Sequence, residues 1–201
     1  MPATLTPTPP LILGSTSRYR RELLTRLGVP FTVEAPRCDE EVAKLEAPSR
    51  DPLALAAFLA TTKAQSLAVV NPDSVIIGSD QVLALGDAVL GKSGDAAGAT
   101  RQLTALSGRE HRLITALTVV HGARSWSHAD VTTMSMRTLS AEQIARYIAH
   151  DRPFDCAGSY KLESRGIALF ERIQSEDQSA IVGLPLIALA KILIGIGYQI
   201  P

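Results

Sequence analysis

Short apolar runs with strand character alternate along this chain with longer stretches whose apolar residues recur at helical spacing. That alternation constrains the fold more than any other feature. It points to an α/β architecture, because such helices bury their apolar stripe by packing back onto a sheet. Residues 11–13 read as a strand passing through Gly14-Ser15-Thr16-Ser17 into a helix carrying Leu23, Leu24 and Leu27. Ser17 is its N-cap, and Gly28 with Pro30 is its stop signal. Residues 31–35 alternate as a strand should. Asp51-Pro52 opens a helix through Leu67, broken at Asn71-Pro72. Residues 74–78 form an apolar strand that delivers Ser79-Asp80-Gln81 at its C-terminal end, and 81–90 read as a hairpin turning at Gly86-Asp87. Asp95 caps a helix over 96–106. Strands at 111–120 and 129–138 meet at Gly122, and Ser140 with Gln143 forms a capping box for a helix through Tyr147. A strand at 166–170 and a closing helix from Leu184 complete the order.

With 201 residues and 46% hydrophobic content, the chain has material for one well-filled domain. Residues 1–10, rich in Pro and Thr, read as a flexible arm, leaving 11–201 as a single domain. The 20 basic and 20 acidic side chains cancel, so no bulk attraction draws the protein to nucleic acid or to an anionic membrane. Trp126 and the few tyrosines are too sparse for a single-strand stacking platform. Cys38 and Cys156 are too few for a disulfide framework and read as small apolar residues, which with the lack of a secretory leader makes the cytoplasm the expected compartment. The apolar stretch 181–200 is interrupted by Pro185, Lys191 and glycines, and reads as a buried helix with its exit rather than a membrane span.

The Gly14–Ser17 turn has the form of an anion site, since free backbone N–H groups and the positive helix end converge there. Arg18, Arg20 and Arg21 stand in the first helical turn, where the dipole disfavours cations unless an anionic ligand compensates; taken alone, the segment reads equally as an ordinary capped helix with solvated arginines. The Gly-Lys-Ser/Thr ending of a Walker loop is absent. Asp80, at the carboxyl end of an apolar strand, is a candidate metal ligand or base. Asp39-Glu40-Glu41 offers further carboxylates, and Lys63 and Lys92 add separated cations that with Arg20 could converge on a polyphosphate. The four histidines lack metal-ligand spacing. The combination suggests phosphate-anhydride chemistry with a divalent metal.

Seven segments, in order, carry a resemblance to a known family. They are LILGSTSRYRRELL, CDEE at 38–41, KAQSLA at 63–68, VIIGSDQVLALGDAVLGK at 75–92, LSGREHRLITAL at 106–117, CAGSYKLESRGIALFERI at 156–173 and GLPLIALAKIL. The chain after residue 10 resembles the Maf family of nucleoside triphosphate pyrophosphatases, with Ser93 standing where the family usually has proline. The resemblance implies a two-lobed α/β fold of the Maf/ITPase kind, a mixed sheet flanked by helices around a central cleft. It also implies a homodimer and hydrolysis of a nucleoside triphosphate to monophosphate and diphosphate with a divalent cation, Mg²⁺ or Mn²⁺. Carried over by position, Ser15, Ser17 and Arg20 match the phosphate-binding turn. Asp80 matches the proton acceptor, Lys63 and Lys92 the catalytic cations, and Asp80 with Glu40 the metal ligands.

Substrate-determining positions fall at Tyr19, Gln81 and Glu163, which look like the subgroup acting on 7-methyl-GTP. An aromatic face holds a cationic methylated guanine by stacking and cation–π attraction, and a carboxylate accepts from its N1–H and amino group. Members preferring dTTP and UTP carry Arg, Thr and Gln at these places. That preference is one alternative. A nucleotide-binding regulator of septum formation without significant turnover is another.

Overall fold

A computed structural model describes residues 8–201. Its element order begins β1 (Leu11–Gly14), α1 (Arg18–Thr25), β2 (Thr32–Glu34), α2 (Glu40–Glu46), α3 (Pro52–Ala68), β3 (Val75–Leu85), β4 (Ala88–Leu90) and α4 (Ala96–Leu106). It continues with β5 (Glu110–His121), β6 (Arg124–Met136), α5 (Ala141–Asp151), a 3-10 turn (Arg165–Leu169), β7 (Phe170–Gln174), α6 (Gln178–Val182) and α7 (Leu186–Ile196). The strands form one mixed sheet in the order β2-β1-β3-β5-β6-β7, with β4 paired to β3. β1 lies parallel to β2 and β3, and the remaining pairs are antiparallel.

β3 organises the molecule. Its parallel partner β1 ends at the Gly14–Gly78 pair, while the antiparallel ladder to β5 continues to Ala84–Arg112. Asp80 therefore does not end a strand, as the apolar run over 74–78 suggests. It lies mid-strand, two residues past the point where β1 gives out, because β5 keeps the backbone extended there. Successive residues of a strand face opposite ways. Val75 and Ile77 enter one core with Leu23 and Leu24 of α1 and Leu189 and Leu193 of α7. Leu83, on the same face, enters a second core built on α4, α5 and Tyr160. Between the two cores this face carries Ser79 and Gln81, and the cleft opens past the end of β1, lined by Gln81 from this face and by Asp80 from the other.

The other face of β3 packs on α3. The buried residues of that helix are Pro52, Leu55, Ala56, Leu59, Ala60, Lys63, Ala64 and Leu67, an unbroken helical stripe in which Lys63 takes an apolar position. Close approach depends on Gly78, where a Cβ would run into the backbone of Ala60 and Ala64. Lys63 is thereby brought against Asp80.

The caps at Ser17, Asp51 and Asp95, the turn at Gly86 and the reciprocal Ser140–Gln143 capping box all form. Other expectations need correction. Gly166 lies in a 3-10 turn, its N–H bonded to Lys161 O at 3.0 Å with no space for a Cβ, and the strand begins only at Phe170. β6 starts at Arg124, not at 129; its opening residues are mostly exposed, and β7 pairs only from Thr133 onward, so they carry no apolar alternation. The closing helix starts at Leu186 and is buried on one face alone, with Ile187, Lys191 and Ile194 open to solvent. Helices α2 and α6 escaped the periodicity because they are short. Of the expected arm at 1–10, residues 1–7 lie outside the described residues. Pro9 and Pro10 are held to the body, their carbonyls accepting from Tyr198 Oη at 2.7 Å and Val75 N at 2.8 Å. Among the described residues no helix is long and apolar enough to cross a membrane.

Candidate active site

A cleft of about 1220 Å³ opens between the two cores. Its wall begins at the β1–α1 turn, where Ser17 caps α1 by accepting from Arg20 N at 3.4 Å. The buried Ser15 hydroxyl accepts from Ser17 N at 3.2 Å and from Arg20 Nη1 at 3.4 Å. Both hydroxyl oxygens act as acceptors, which leaves their O–H protons available to an anion. Arg20 also donates from Nε to Gly183 O at 2.8 Å, a carbonyl that receives the buried Ser79 hydroxyl at 3.0 Å. Burial lowers the Arg20 pKa, opposed by the charges of Asp80 and Glu40.

The cleft floor is a carboxylate–ammonium–carboxylate cluster. Lys63 Nζ stands 2.6 Å from Asp80 Oδ1 and 2.8 Å from Glu40 Oε2, and Lys44 Nζ lies 3.0 Å from Glu40 Oε1. Burial pushes the Asp80 carboxyl up, and the nearby charges of Lys63 and Arg20 only partly offset it. Glu40 goes the other way. Burial raises it, but the hydrogen bonds and charges of Lys63 and Lys44 together outweigh that and hold it at about 2. Asp80 is the deeper of the two and the better proton acceptor. Among the described residues no donor reaches its second oxygen, Oδ2.

These two carboxylates converge on a single cation. Oxygen donors suit Mg²⁺ or Mn²⁺, and Mg²⁺ usually takes one or two carboxylates, completing its shell with water and substrate phosphate. Among the described residues no cluster of three or more His, Cys, Asp or Glu forms an all-protein cage. The donor set therefore fits a metal that arrives with a phosphate ligand.

Tyr19, Lys92 and Glu163 also line the cleft. The Arg18 guanidinium lies over the Tyr19 ring at 4.7 Å and donates to its hydroxyl at 2.8 Å. Lys92 and Glu163 are exposed, and Lys92 pairs in an isolated antiparallel bridge with Ala157. Gln81 lines the same cleft, with its amide group engaged. Its Nε2 donates to Thr115 Oγ1 at 2.8 Å and to the Ala180 and Ile181 carbonyls at 3.0 and 3.1 Å, fixing α6 to β3. Cys38 and Cys156 are half-buried at the cleft, and burial pushes the Cys156 thiol up to about 12.

Sequence reasoning missed Lys44, Ser79 and Gly183. Lys44 was within reach of it, standing four residues after Glu40 on one helical face. The other two were not. The Gly183 carbonyl meets Arg20 and Ser79 only because α6 and α7 fold back over β3.

The fold is that of an α/β protein whose β1–α1 turn shares one cleft with the buried Asp80 and the more exposed Glu40. A family model described as Maf-like protein matches residues 10–196, and the chain belongs to that family. It is 47% identical over 183 residues to the 7-methyl-GTP pyrophosphatase of Bdellovibrio bacteriovorus, covering 91% of this chain and 95% of that one. It is 47% identical over 193 residues to the protein of that name from Xanthomonas oryzae pv. oryzae, covering 96% and 100% respectively. The Ham1 protein of Staphylococcus aureus shares the fold, with a TM-score of 0.50 at 10% identity over 92% of this chain and 98% of that one.

Proposed function

We propose that the protein hydrolyses 7-methyl-GTP to 7-methyl-GMP and diphosphate. The observation that carries this reading is the Asp80–Lys63–Glu40 cluster beside the Ser15–Arg20 turn, carboxylates and cations lining one cleft. The relatives named 7-methyl-GTP pyrophosphatase support the choice of base.

Ser15, Ser17 and Arg20 hold the triphosphate. Asp80 accepts the proton of the water that attacks the α-phosphorus, aided by the burial that raises its affinity for a proton. Arg20, Lys63 and Lys92 offset the negative charge that accumulates on the departing diphosphate. A divalent cation held by Asp80 and Glu40, Mg²⁺ or Mn²⁺, supplies Lewis-acid stabilisation of the phosphate oxygens when bound. Tyr19 stacks on the methylated base and Glu163 accepts its N–H groups. Gln81 acts on specificity by fixing α6 at the cleft. The protein works in the cytoplasm as a homodimer, and residues 11–201 act as one unit.

The test is diphosphate release with product identification over a panel of 7-methyl-GTP, GTP, dTTP and UTP, with and without a chelator. Asp80→Asn lowers kcat on 7-methyl-GTP by at least 10²–10³-fold, as removal of a positioned group typically does, with the circular dichroism spectrum unchanged. Preference for dTTP or UTP would reassign the base. Nucleotide binding without turnover would leave the regulatory reading.

A further inference from the structure

Two segments form the far wall of the cleft, one leaving β4 with Lys92 and one running from Phe154 to Glu163. They are laced together by the Lys92–Ala157 bridge and by Gly94 N donating to Phe154 O at 3.1 Å. The second segment bends sharply, with φ of +75° at Gly158 and +59° at Ser159, a left-handed conformation that is costly for serine. Ser159 is nonetheless fully buried, and its hydroxyl donates to Gln102 Oε1 at 2.7 Å. The same amide donates from Nε2 to Gly91 O at 2.9 Å. Gln102 sits on α4, outside the cleft. Among the described residues it is the one side chain that bonds to both segments.

We infer that Gln102 is a positioning residue that sets the separation between Lys92 and Glu163. Its carbonyl holds the strained turn that leads to Glu163, and its amino group holds the carbonyl that precedes Lys92. Both amide groups are used with the correct polarity, so neither segment shifts without breaking a bond of the other. The proposal rests on the reading of Lys92 as a phosphate cation and Glu163 as a base acceptor. It assigns Gln102 an effect on kcat through the first and on KM through the second.

The experiment uses Gln102→Leu, which keeps the volume and loses both bonds, and Gln102→Glu, which keeps the acceptor for Ser159 alone. Gln102→Leu lowers kcat/KM for 7-methyl-GTP about tenfold, the scale of one to two hydrogen bonds. In a Lys92→Ala background the kcat loss from Gln102→Leu shrinks to less than about twofold, and in a Glu163→Ala background the KM increase does the same. Hydrogen–deuterium exchange on the nucleotide-free protein gives a readout that needs no activity. Exchange in 89–94 and 156–163 accelerates together in Gln102→Leu, and in 89–94 alone in Gln102→Glu, while the amides of β5 keep their rates. Losses of undiminished size in the Lys92→Ala and Glu163→Ala backgrounds overturn the inference, as does unchanged exchange in the two segments. A wild-type protein inactive on the methylated nucleotide refutes the proposed function instead, and exchange then decides the coupling.

Discussion

Replacing Lys63 by methionine keeps the stem within the α3 stripe and removes the ammonium that Asp80 and Glu40 share. Lys63 and Asp80 side chains are only 10% and 8% exposed, so the variant strands a buried carboxylate. Breaking a buried pair from one side costs about 3–5 kcal/mol. Glu40 adds little. Its fall from 4.5 to about 2 is shared between Lys63 and Lys44, which stays in place, and at 44% side-chain exposure solvent screening leaves the part owed to Lys63 below about 1 kcal/mol, within the spread of that range. The sign of the pH dependence follows. The folded pKa of Glu40 lies below its unfolded value, so its stabilisation is present above about 4.5 and disappears as the pH falls through about 2. Asp80 is raised, so its ionisation costs stability at high pH, and that cost vanishes on protonation. Without the ammonium the cost is larger and is relieved on acidification. Urea unfolding of Lys63→Met against wild type should therefore show a deficit of about 3–5 kcal/mol at pH 7 that narrows to below about 2 kcal/mol at pH 3, with the denaturant slope unchanged. A deficit that stays constant from pH 7 to pH 3 would refute the charge argument and reduce Lys63 to a packing residue.

Tyr19→Arg lowers kcat/KM for 7-methyl-GTP about 2–30-fold more than for UTP, the range that loss of cation–π attraction allows; equal losses on both nucleotides would argue against stacking. His111, fully buried beside Tyr160, is lowered by burial to about 4. The unfolded state then takes up a proton first, and stability falls by up to about 3 kcal/mol as the pH drops from 6.5 to about 4. In His111→Gln that slope flattens in pH-dependent urea titrations. Ser140→Ala removes the reciprocal cap of α5 and costs about 1 kcal/mol by thermal unfolding.

Features held by neighbours in the chain were legible in the sequence: the Ser17 cap, the Asp51-Pro52 start, the Gly86 turn and the Ser140–Gln143 box. Candidate site residues were legible too, since a lysine in an apolar helical stripe and an acid after an apolar strand are locally anomalous. Where local signals gave out, the reading failed. The early part of β6 is polar because β7 does not reach it, and the turn at Gly166 answers to the Lys161 carbonyl rather than to alternation. Nor could any local pattern show that the Gln81 amide bonds to α6, a partner about a hundred positions distant.

Chemical character, then, was written in the chain: which segments become strands and helices, and which charges stand where apolar residues belong. Their conjunction was decided by packing. Gly78 lets α3 close on β3, and only at that distance does one ammonium meet two carboxylates. Coulomb energy and desolvation both depend on separation and burial, which no local pattern encodes, so the opposite fates of Asp80 and Glu40 belong to the tertiary structure alone.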